Sequence, residues 1–263
     1  MSSSLRIFVF GGHGRVALRF IERAIQQGHH IRTTIRDASQ KPDFPPACET
    51  VVESIEEHDV AHFASVLREY DPNVVLFAAG AGGKGGAERT KKVDEEGAIK
   101  VFDALEKSGL GSSDAFRRLL LISAVDSRNV DDEKTIPSWY GEKDIGTSKR
   151  MREALGAYMI AKYNADKNLS QRTAFPWFVL RPSTLKDDEG TGVVKLGLQE
   201  TISIAVPRDD VAATLLALAE LPKGQADGLM LDLTGVEREG AQGAPIKEAV
   251  AAAAKRGRTD WTG

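Results

Sequence analysis

The stretch IFVFGGHGRVA at residues 7–17 constrains the fold more than any other part of the chain. Its first four residues are apolar and predict a strand that is buried on both faces. Glycines then turn the chain, and an apolar spacing that begins at Val16 predicts a helix. The glycines let the backbone approach a pyrophosphate, and the N–H groups of the first helical turn point towards it. An ordinary strand-to-helix turn is the alternative, but the context favours a dinucleotide site.

Composition narrows the class of protein. The chain has 263 residues and a formal net charge of −3, which argues against a nucleic-acid partner held by charge. Its single cysteine, Cys48, excludes an internal disulfide and suits a reducing compartment, so we expect a cytoplasmic protein. No apolar run reaches membrane-spanning length and the first residues carry no secretory pattern, so we expect no membrane partner.

Apolar runs alternate with helical spacings along the chain, which predicts an α/β fold with a doubly wound, Rossmann-like parallel sheet. We expect a single domain over residues 1–263, in which residues 183–263 contribute a small lobe on the substrate side. The predicted strands cover residues 7–10, 30–35, 50–53, 74–79, 118–123, 177–181, 201–206 and 228–234. The first predicted helix begins near residue 14, and the others cover residues 58–70, 88–107, 148–167, 207–220 and 246–254.

The second predicted strand ends at Arg36 and Asp37, where such folds place the residue that faces the adenosine ribose. An acidic residue there accepts from the 2′-hydroxyl of NAD, whereas a basic one pairs with the 2′-phosphate of NADP. Arg15 lies just beyond the glycine turn. Two guanidinium groups that converge on one phosphate favour NADP, with NAD the less favoured cofactor. The alternative is that both arginines are solvated surface residues.

Two loops are candidates for contact with a small-molecule substrate. The segment at residues 80–86 has five glycines in seven residues and follows a predicted strand, at the edge of the sheet where ligands bind. Its Lys84 either meets a phosphate or an anionic substrate, or is an ordinary solvated lysine. The polar insertion at residues 126–146 contains Trp139 and Tyr140, which either shape a substrate pocket or form a lid that packs on itself.

A tyrosine and a lysine in one predicted helix form a candidate catalytic pair. Tyr158 and Lys162 are four residues apart and therefore share a helix face. A lysine ammonium lowers the pKa of a neighbouring phenol, which then donates a proton to a carbonyl as hydride arrives. Tyr163 and Lys167 have the same spacing, and helix geometry allows only one of the two tyrosines to face the cofactor.

Six motifs occur in one order along residues 5–235 and together resemble the atypical short-chain dehydrogenase/reductases of the NAD(P)-binding, NmrA-like branch. They are GGHG at 11–14, TIRD at 34–37, AGAGGKGG at 79–86, YMIAK at 158–162, LRPS at 180–183 and DDVA at 209–212. The resemblance implies that Tyr158 and Lys162 are catalytic and that Tyr163 and Lys167 are structural. The cofactor contacts that it implies are Gly11, Gly12, His13, Gly14, Arg15, Val16, Arg36, Ala79, Gly80, Lys162, Pro182 and Ser183.

Two positions depart from the pattern of that family. Related enzymes place a serine or threonine at the second position after the fifth strand, where its hydroxyl orients the substrate carbonyl. Here that position is Ala124, so Ser123 is the candidate substitute in the catalytic set. Related proteins also carry Gly-Asp-Leu near the adenine, where this chain has Glu53, Ser54 and Ile55.

These observations lead to three functional hypotheses. The first is an NADP-dependent oxidoreductase that acts on a small carbonyl or quinone-like substrate. The second is a non-catalytic dinucleotide sensor that regulates a partner, which the missing serine or threonine would suit. The third is a nucleotide-sugar epimerase or dehydratase. It ranks last because such enzymes usually have a larger substrate lobe, and only about 80 residues follow Arg181. No metal is expected, and the sequence leaves the oligomeric state open.

Overall fold

The computed structural model describes residues 4–82, 85–129, 132–197, 201–236, 243–257, 259 and 261. Its strands are β1 (Arg6–Phe10), β2 (His30–Ile35), β3 (Cys48–Val52), β4 (Val74–Phe77), β5 (Arg118–Ile122), β6 (Trp177–Pro182), β7 (Leu185–Lys186), β8 (Val193–Leu196), β9 (Val206–Pro207), β10 (Leu229–Thr234) and β11 (Ala244–Pro245). Its α-helices are α1 (Arg15–Gln26), α2 (Val60–Tyr70), α3 (Gly86–Thr90), α4 (Gly97–Ser108), α5 (Glu142–Ser170), α6 (Arg208–Glu220) and α7 (Ile246–Arg256). A π-helical segment, Lys91–Glu96, joins α3 to α4, and 3-10 helices cover Ala38–Asp43, Leu110–Ser112 and Glu133–Thr135.

The described strands form a nine-stranded sheet in the order β11-β8-β10-β6-β5-β4-β1-β2-β3. All pairs from β3 through to β10 are parallel, whereas β8 and β11 extend the sheet in antiparallel pairs. Strands β7 and β9 pair separately. The α/β fold with a doubly wound, mostly parallel sheet is therefore confirmed.

Helices on both faces explain why the central strands are apolar throughout. In β1, Ile7 and Val9 belong to one hydrophobic cluster, and Phe8 and Phe10 belong to the cluster on the opposite face. Successive residues of a strand point to opposite faces, so a strand with helices on both sides has no polar side. Because β1, β2 and β4 are parallel, the loops at their carboxyl ends lie at one edge of the sheet, where a ligand can reach them.

The predicted strand at residues 201–206 is wrong over most of its length, because only Val206 at its end is in a strand. The Asp144 carboxylate instead accepts hydrogen bonds from the Thr201 and Ser203 hydroxyls and from the Ile202 N–H. These bonds hold the segment as a turn. Sequence analysis also missed β8, and α5 begins at residue 142, inside the predicted insertion at 126–146.

The last part of the chain, from residue 183 onwards, contributes strands to the central sheet. Strand β10 pairs with β6, and β8 follows β10 in the sheet. Apolar residues of α1 and α6 share one hydrophobic cluster on one face of the sheet. The assignment of residues 183–263 to a lobe on the substrate side stays a prediction.

A buried arginine anchors the end of α6 to the sheet. Arg118, in β5, is completely buried and donates to the carbonyl oxygens of Leu218 (3.2 Å), Leu221 (3.3 Å) and Pro222 (2.6 Å). These oxygens lie in or just after the last helical turn, where carbonyl groups lack partners within the helix. The guanidinium therefore does the work of a helix cap from outside the helix.

We expect Arg118→Ala to lower the free energy of unfolding by about 2–4 kcal/mol, because it leaves buried carbonyl groups without donors. Urea denaturation at neutral pH measures the change. Arg68→Ala removes an exposed arginine from α2 and is the matched control, with an expected change of no more than about 0.5 kcal/mol. Equal stability of the two variants would contradict the anchoring role.

Candidate active site

A cleft of about 390 Å³ opens at the carboxyl ends of the central strands. Its walls are the glycine turn after β1, the end of β2 through Arg36, residues 53–56 and residues 78–82, with Gln40, Arg89 and Val93. In an open parallel sheet this is the edge at which nucleotide ligands bind. The cleft is therefore the candidate cofactor site.

The glycine turn approaches β4 so closely that a side chain would not fit. Gly11 has a φ of 82°, and a Cβ atom at this position would lie 2.5 Å from the Ala79 Cα. Gly12 donates its N–H to the Thr34 carbonyl at 3.2 Å, which fixes the turn against β2. Gly14 caps α1 without a side chain, so the positive end of the helix dipole is free to meet an anion.

The His13 side chain ties the glycine turn to the 3-10 helix at residues 38–43. Its Nδ1 lies 3.1 Å from Gln40 Nε2, and its Nε2 lies 2.7 Å from an Asp43 carboxylate oxygen. Because an amide nitrogen only donates, the Nδ1 accepts from Gln40 and the Nε2 donates to Asp43. His13 thus forms part of the cleft wall with both ring nitrogens engaged.

The two arginines predicted to meet the phosphate have different surroundings. Arg36 is exposed at the cleft, and within the described part of the chain its guanidinium makes no salt bridge. The neighbouring Asp37 carboxylate accepts from the Ser39 N–H at 2.8 Å and caps the 3-10 helix, and this hydrogen bond lowers its pKa. Arg15 also lines the cleft, but its Nη1 lies 2.5 Å from an Asp187 carboxylate oxygen.

The two tyrosine–lysine pairs of α5 differ in burial. Lys162 is 4% exposed, and its Nζ donates to the Ile122 carbonyl at 3.0 Å and lies 3.4 Å from Asp94 Oδ1. The same Nζ is 5.4 Å from the centre of the half-buried Tyr158 ring. Lys167, by contrast, is exposed, although its Nζ lies 5.7 Å from the Tyr163 ring. Only the first pair is held inside the protein.

The environment of this pair keeps both members protonated. Burial raises the pKa of Tyr158, and the Lys162 ammonium offsets this rise only in part. Burial by itself lowers the pKa of Lys162, but the neighbouring acidic groups of Tyr158, Asp94 and Asp166 outweigh it and raise the pKa above its ordinary value. Within the described residues the Tyr158 hydroxyl has no hydrogen-bond partner, so its proton is available to a bound molecule.

A buried carboxylate binds the predicted catalytic serine. Asp166 is fully buried, and its Oδ2 accepts from the Ser123 and Ser127 hydroxyls, each at 2.6 Å. Its other oxygen, Oδ1, has no hydrogen-bond partner within the described residues. Burial raises the pKa of Asp166 from 3.8 to about 6, against the effect of the two hydroxyls. The Ser123 proton therefore points at Asp166, and only its oxygen lone pairs remain for another group.

Comparison with known proteins identifies the family to which this chain belongs. The profile of the NAD(P)H-binding family matches residues 11–222, which include the glycine turn and α5. This chain belongs to the NAD(P)H-binding family. The UPF0659 protein C216.03 of Schizosaccharomyces pombe is 40% identical over 256 residues, which cover 97% of each chain.

Two further relatives of this NAD(P)H-binding protein have names that denote different activities. The uncharacterized sugar epimerase YhfK of Bacillus subtilis is 28% identical over 88% of this chain and 94% of its own. The crystal structure of the oxidoreductase ylbE of Lactococcus lactis has a TM-score of 0.72 at 23% identity and covers 94% of this chain and 95% of its own. That second likeness shows the fold.

Sequence analysis missed Asp94 and Asp166, although the signal for both was present. Asp94 lies four residues before Ala98 and seven before Val101, on the apolar stripe of the predicted helix. Asp166 lies four residues after Lys162, on the face that also carries Tyr158. An acidic residue on a buried helix face needs a partner, and in both cases the structure supplies one.

Arg89 and Glu56 form another part of the candidate cofactor cleft that sequence analysis did not single out. The Arg89 Nε and Nη2 lie 3.1 and 2.8 Å from the same Glu56 oxygen, and this hydrogen bonding lowers the pKa of the Glu56 carboxyl. No local pattern signals the pair, because the two residues are 33 positions apart.

Other predicted site residues have defined places. Val16, Ala124 and Pro182 are buried, and the buried Ser183 hydroxyl donates to the Ile204 carbonyl at 2.5 Å. Ala79 and Gly80 line the cleft. Tyr158, Lys162, Pro182 and Ser183 are not among the cleft walls.

The aromatic pair of the insertion packs within the insertion and also against residues from other parts of the chain. Tyr140 is buried, and its hydroxyl donates to an Asp126 carboxylate oxygen at 3.3 Å. Trp139 is half-buried and meets the Tyr140 ring edge to face, with centroids 5.9 Å apart. Both belong to a small cluster with Val125 and Ile202. Lys84 lies outside the described residues.

The described helices do not include one with both the length and the apolar character that crossing a membrane requires.

The raised pKa of Asp166 predicts a pH-dependent difference in stability. The folded state holds this proton more tightly than the unfolded state, so the Asp166 contribution to the free energy of unfolding falls as pH rises from about 4 to about 6. A pKa moved from 3.8 to about 6 corresponds to about 3 kcal/mol. Asp166→Asn cannot ionise, so its stability relative to the wild type should increase over this interval and stay level above it.

Urea denaturation between about pH 3.5 and about pH 8 measures this difference, because this range extends below and above both pKa values. Asp114→Asn, at an exposed aspartate, is the matched control and should show no such rise. A stability difference between Asp166→Asn and the wild type that does not change with pH would contradict the raised pKa.

Proposed function

We propose that this protein is an NADP-dependent oxidoreductase that reduces a small carbonyl or quinone-like substrate, in the manner of the atypical short-chain dehydrogenase/reductases. The observation that carries the proposal is the buried Lys162 ammonium beside a Tyr158 hydroxyl that has no partner within the described residues. The name of the ylbE relative, an oxidoreductase, supports the same class of reaction.

The cleft suits a dinucleotide that carries a 2′-phosphate. Gly11 leaves room for a pyrophosphate close to the backbone, and the uncapped start of α1 supplies N–H groups to it. Arg36 is the cation at the end of β2 that remains available for the phosphate. Asp37 is occupied as a helix cap, which weakens the case for a carboxylate that binds the ribose of NAD.

NADPH would supply hydride when bound, and the protein supplies the proton. Since burial raises the pKa of Tyr158, its phenol stays protonated at neutral pH and acts as the general acid towards a carbonyl oxygen. The Lys162 ammonium then stabilises the phenolate that remains. Asp94 and the Ile122 carbonyl hold this ammonium in place before and after the transfer.

A non-catalytic dinucleotide sensor of the NmrA-like type is the second candidate, and one observation favours it. The Ser123 hydroxyl donates to Asp166, and Ala124 has no hydroxyl, so neither residue presents an O–H to a substrate carbonyl. A nucleotide-sugar epimerase ranks third and has the name of the YhfK relative in its favour.

We expect Arg36→Ala to weaken NADPH binding about 10- to 100-fold and to leave NADH binding unchanged, because a charge-assisted contact with phosphate is worth about 1.5–3 kcal/mol. Calorimetry with NADP, NADPH, NAD and NADH measures both affinities. Arg68→Ala, remote from the cleft walls, is the matched control. If the wild type binds none of the four dinucleotides, the proposed function is wrong. If it binds NADPH and NADH with equal affinity, the preference for NADP is wrong but the oxidoreductase function is not.

We expect Tyr158→Phe to lower the rate of NADPH oxidation by about 10²- to 10⁴-fold without changing the affinity for NADPH, since it removes only the proton donor. A panel of small aldehydes and quinones is the substrate probe, followed by the absorbance of NADPH. Tyr163→Phe has the same change on the other helix face and should retain wild-type turnover. Unchanged turnover in Tyr158→Phe overturns its role. If the wild type binds NADPH but reduces nothing in the panel, the sensor hypothesis gains.

A further inference from the structure

Three side chains with metal-binding atoms meet beside the cleft, at the carboxyl end of β3. Glu53 directly follows this strand, and its N–H donates to the Ile35 carbonyl at 2.8 Å, which fixes its backbone to the sheet. His58 and His62 flank the start of α2. The Asp59 carboxylate accepts from the His62 N–H at 2.8 Å and caps this helix. All three side chains therefore stand on anchored backbone.

The donor atoms of these side chains converge on one point. The Nε2 atoms of His58 and His62 lie 2.8 and 2.7 Å from the same carboxylate oxygen of Glu53. All three donor atoms lie within 4.8 Å of one another. Around a zinc ion with bonds of about 2.0–2.1 Å, tetrahedral geometry separates donors by about 3.3 Å. Each histidine nitrogen therefore needs to move only about half an ångström away from the Glu53 oxygen to reach that separation.

A buried aromatic ring orients both imidazoles. The His58 and His62 rings are stacked 4.1 Å apart at an interplanar angle of 15°. Each meets the edge or face of Phe63, at 5.9 and 5.5 Å between centroids, and Phe63 is completely buried. The two rings thus keep a common direction, which ordinary surface histidines lack.

We propose that Glu53, His58 and His62 bind one divalent transition-metal ion of the zinc type. Two imidazoles and one carboxylate form a donor set that zinc uses where a coordination position stays open. The side chains of the two histidines are 36% and 37% exposed, and that of Glu53 is 17% exposed. An ion can therefore enter from solvent, and water can complete its coordination. The alternative is a cluster in which both imidazoles only donate hydrogen bonds to Glu53.

The test uses the full chain after treatment with chelator, without any dinucleotide. Calorimetric titration with zinc chloride should show one ion bound per chain. Titration with cobalt chloride should produce the visible absorption bands of a cobalt ion with a low coordination number. His62→Ala and His58→Ala should each weaken zinc binding at least tenfold. His30→Ala removes an exposed histidine at the opposite end of β2 and should bind zinc as the wild type does.

The melting temperature gives an independent measurement, because an ion that binds only the folded state raises it. Zinc should raise the melting temperature of the wild type and of His30→Ala, and not that of His62→Ala. His62→Asn serves in its place if the alanine variant does not fold in chelator. Equal zinc affinity in the wild type, His62→Ala and His58→Ala would overturn the site. Since no dinucleotide is present, that result would leave the proposed oxidoreductase function untouched.

Discussion

The site depends on the carboxylate of Asp94. One of its oxygens accepts the Ala81 N–H at 2.9 Å, and the other lies 3.4 Å from the Lys162 Nζ. Asp94 lies in the π-helical segment between α3 and α4, and such segments are common where a helix presents a functional side chain. A single buried group thus fixes the loop after β4 relative to α5. Removing one partner of such a buried ion pair costs about 3–5 kcal/mol, because the other charge is left uncompensated.

Strands β6 and β10 carry a further buried ion pair. Arg181 and Asp232 face each other across the β6–β10 pair, with the Arg181 Nε 2.8 Å from an Asp232 oxygen. The positive charges of Arg181 and Lys162 lie close enough to Asp166 to lower the pKa of its carboxyl. In a low-dielectric interior these charges interact strongly, so the protonation of one residue depends on that of its neighbours. The structure therefore couples the candidate proton donor to a group that titrates near pH 6.

Apolar periodicity predicted the central fold because parallel strands with helices on both faces have nearly uniform side-chain chemistry. The same reasoning failed at residues 201–205, where the Asp144 side chain replaces strand pairing with local hydrogen bonds. Helical spacing placed Tyr158 and Lys162 on one face. It could not show that Lys162 is buried and Lys167 exposed, since this difference depends on Asp94 and Ile122 from other elements. The NmrA-like assignment and NADP preference remain proposals.

The glycines at the edge of the sheet serve two different purposes. Gly11 has to lack a side chain because a Cβ atom there would collide with the backbone of Ala79, just after β4. The resemblance predicts Gly80 as a cofactor contact. In the structure, a Cβ atom on Gly80 would lie 2.9 Å from Asp94 Oδ1. A side chain there would displace the carboxylate that holds Lys162, so this glycine protects the ion pair whether or not a cofactor is bound.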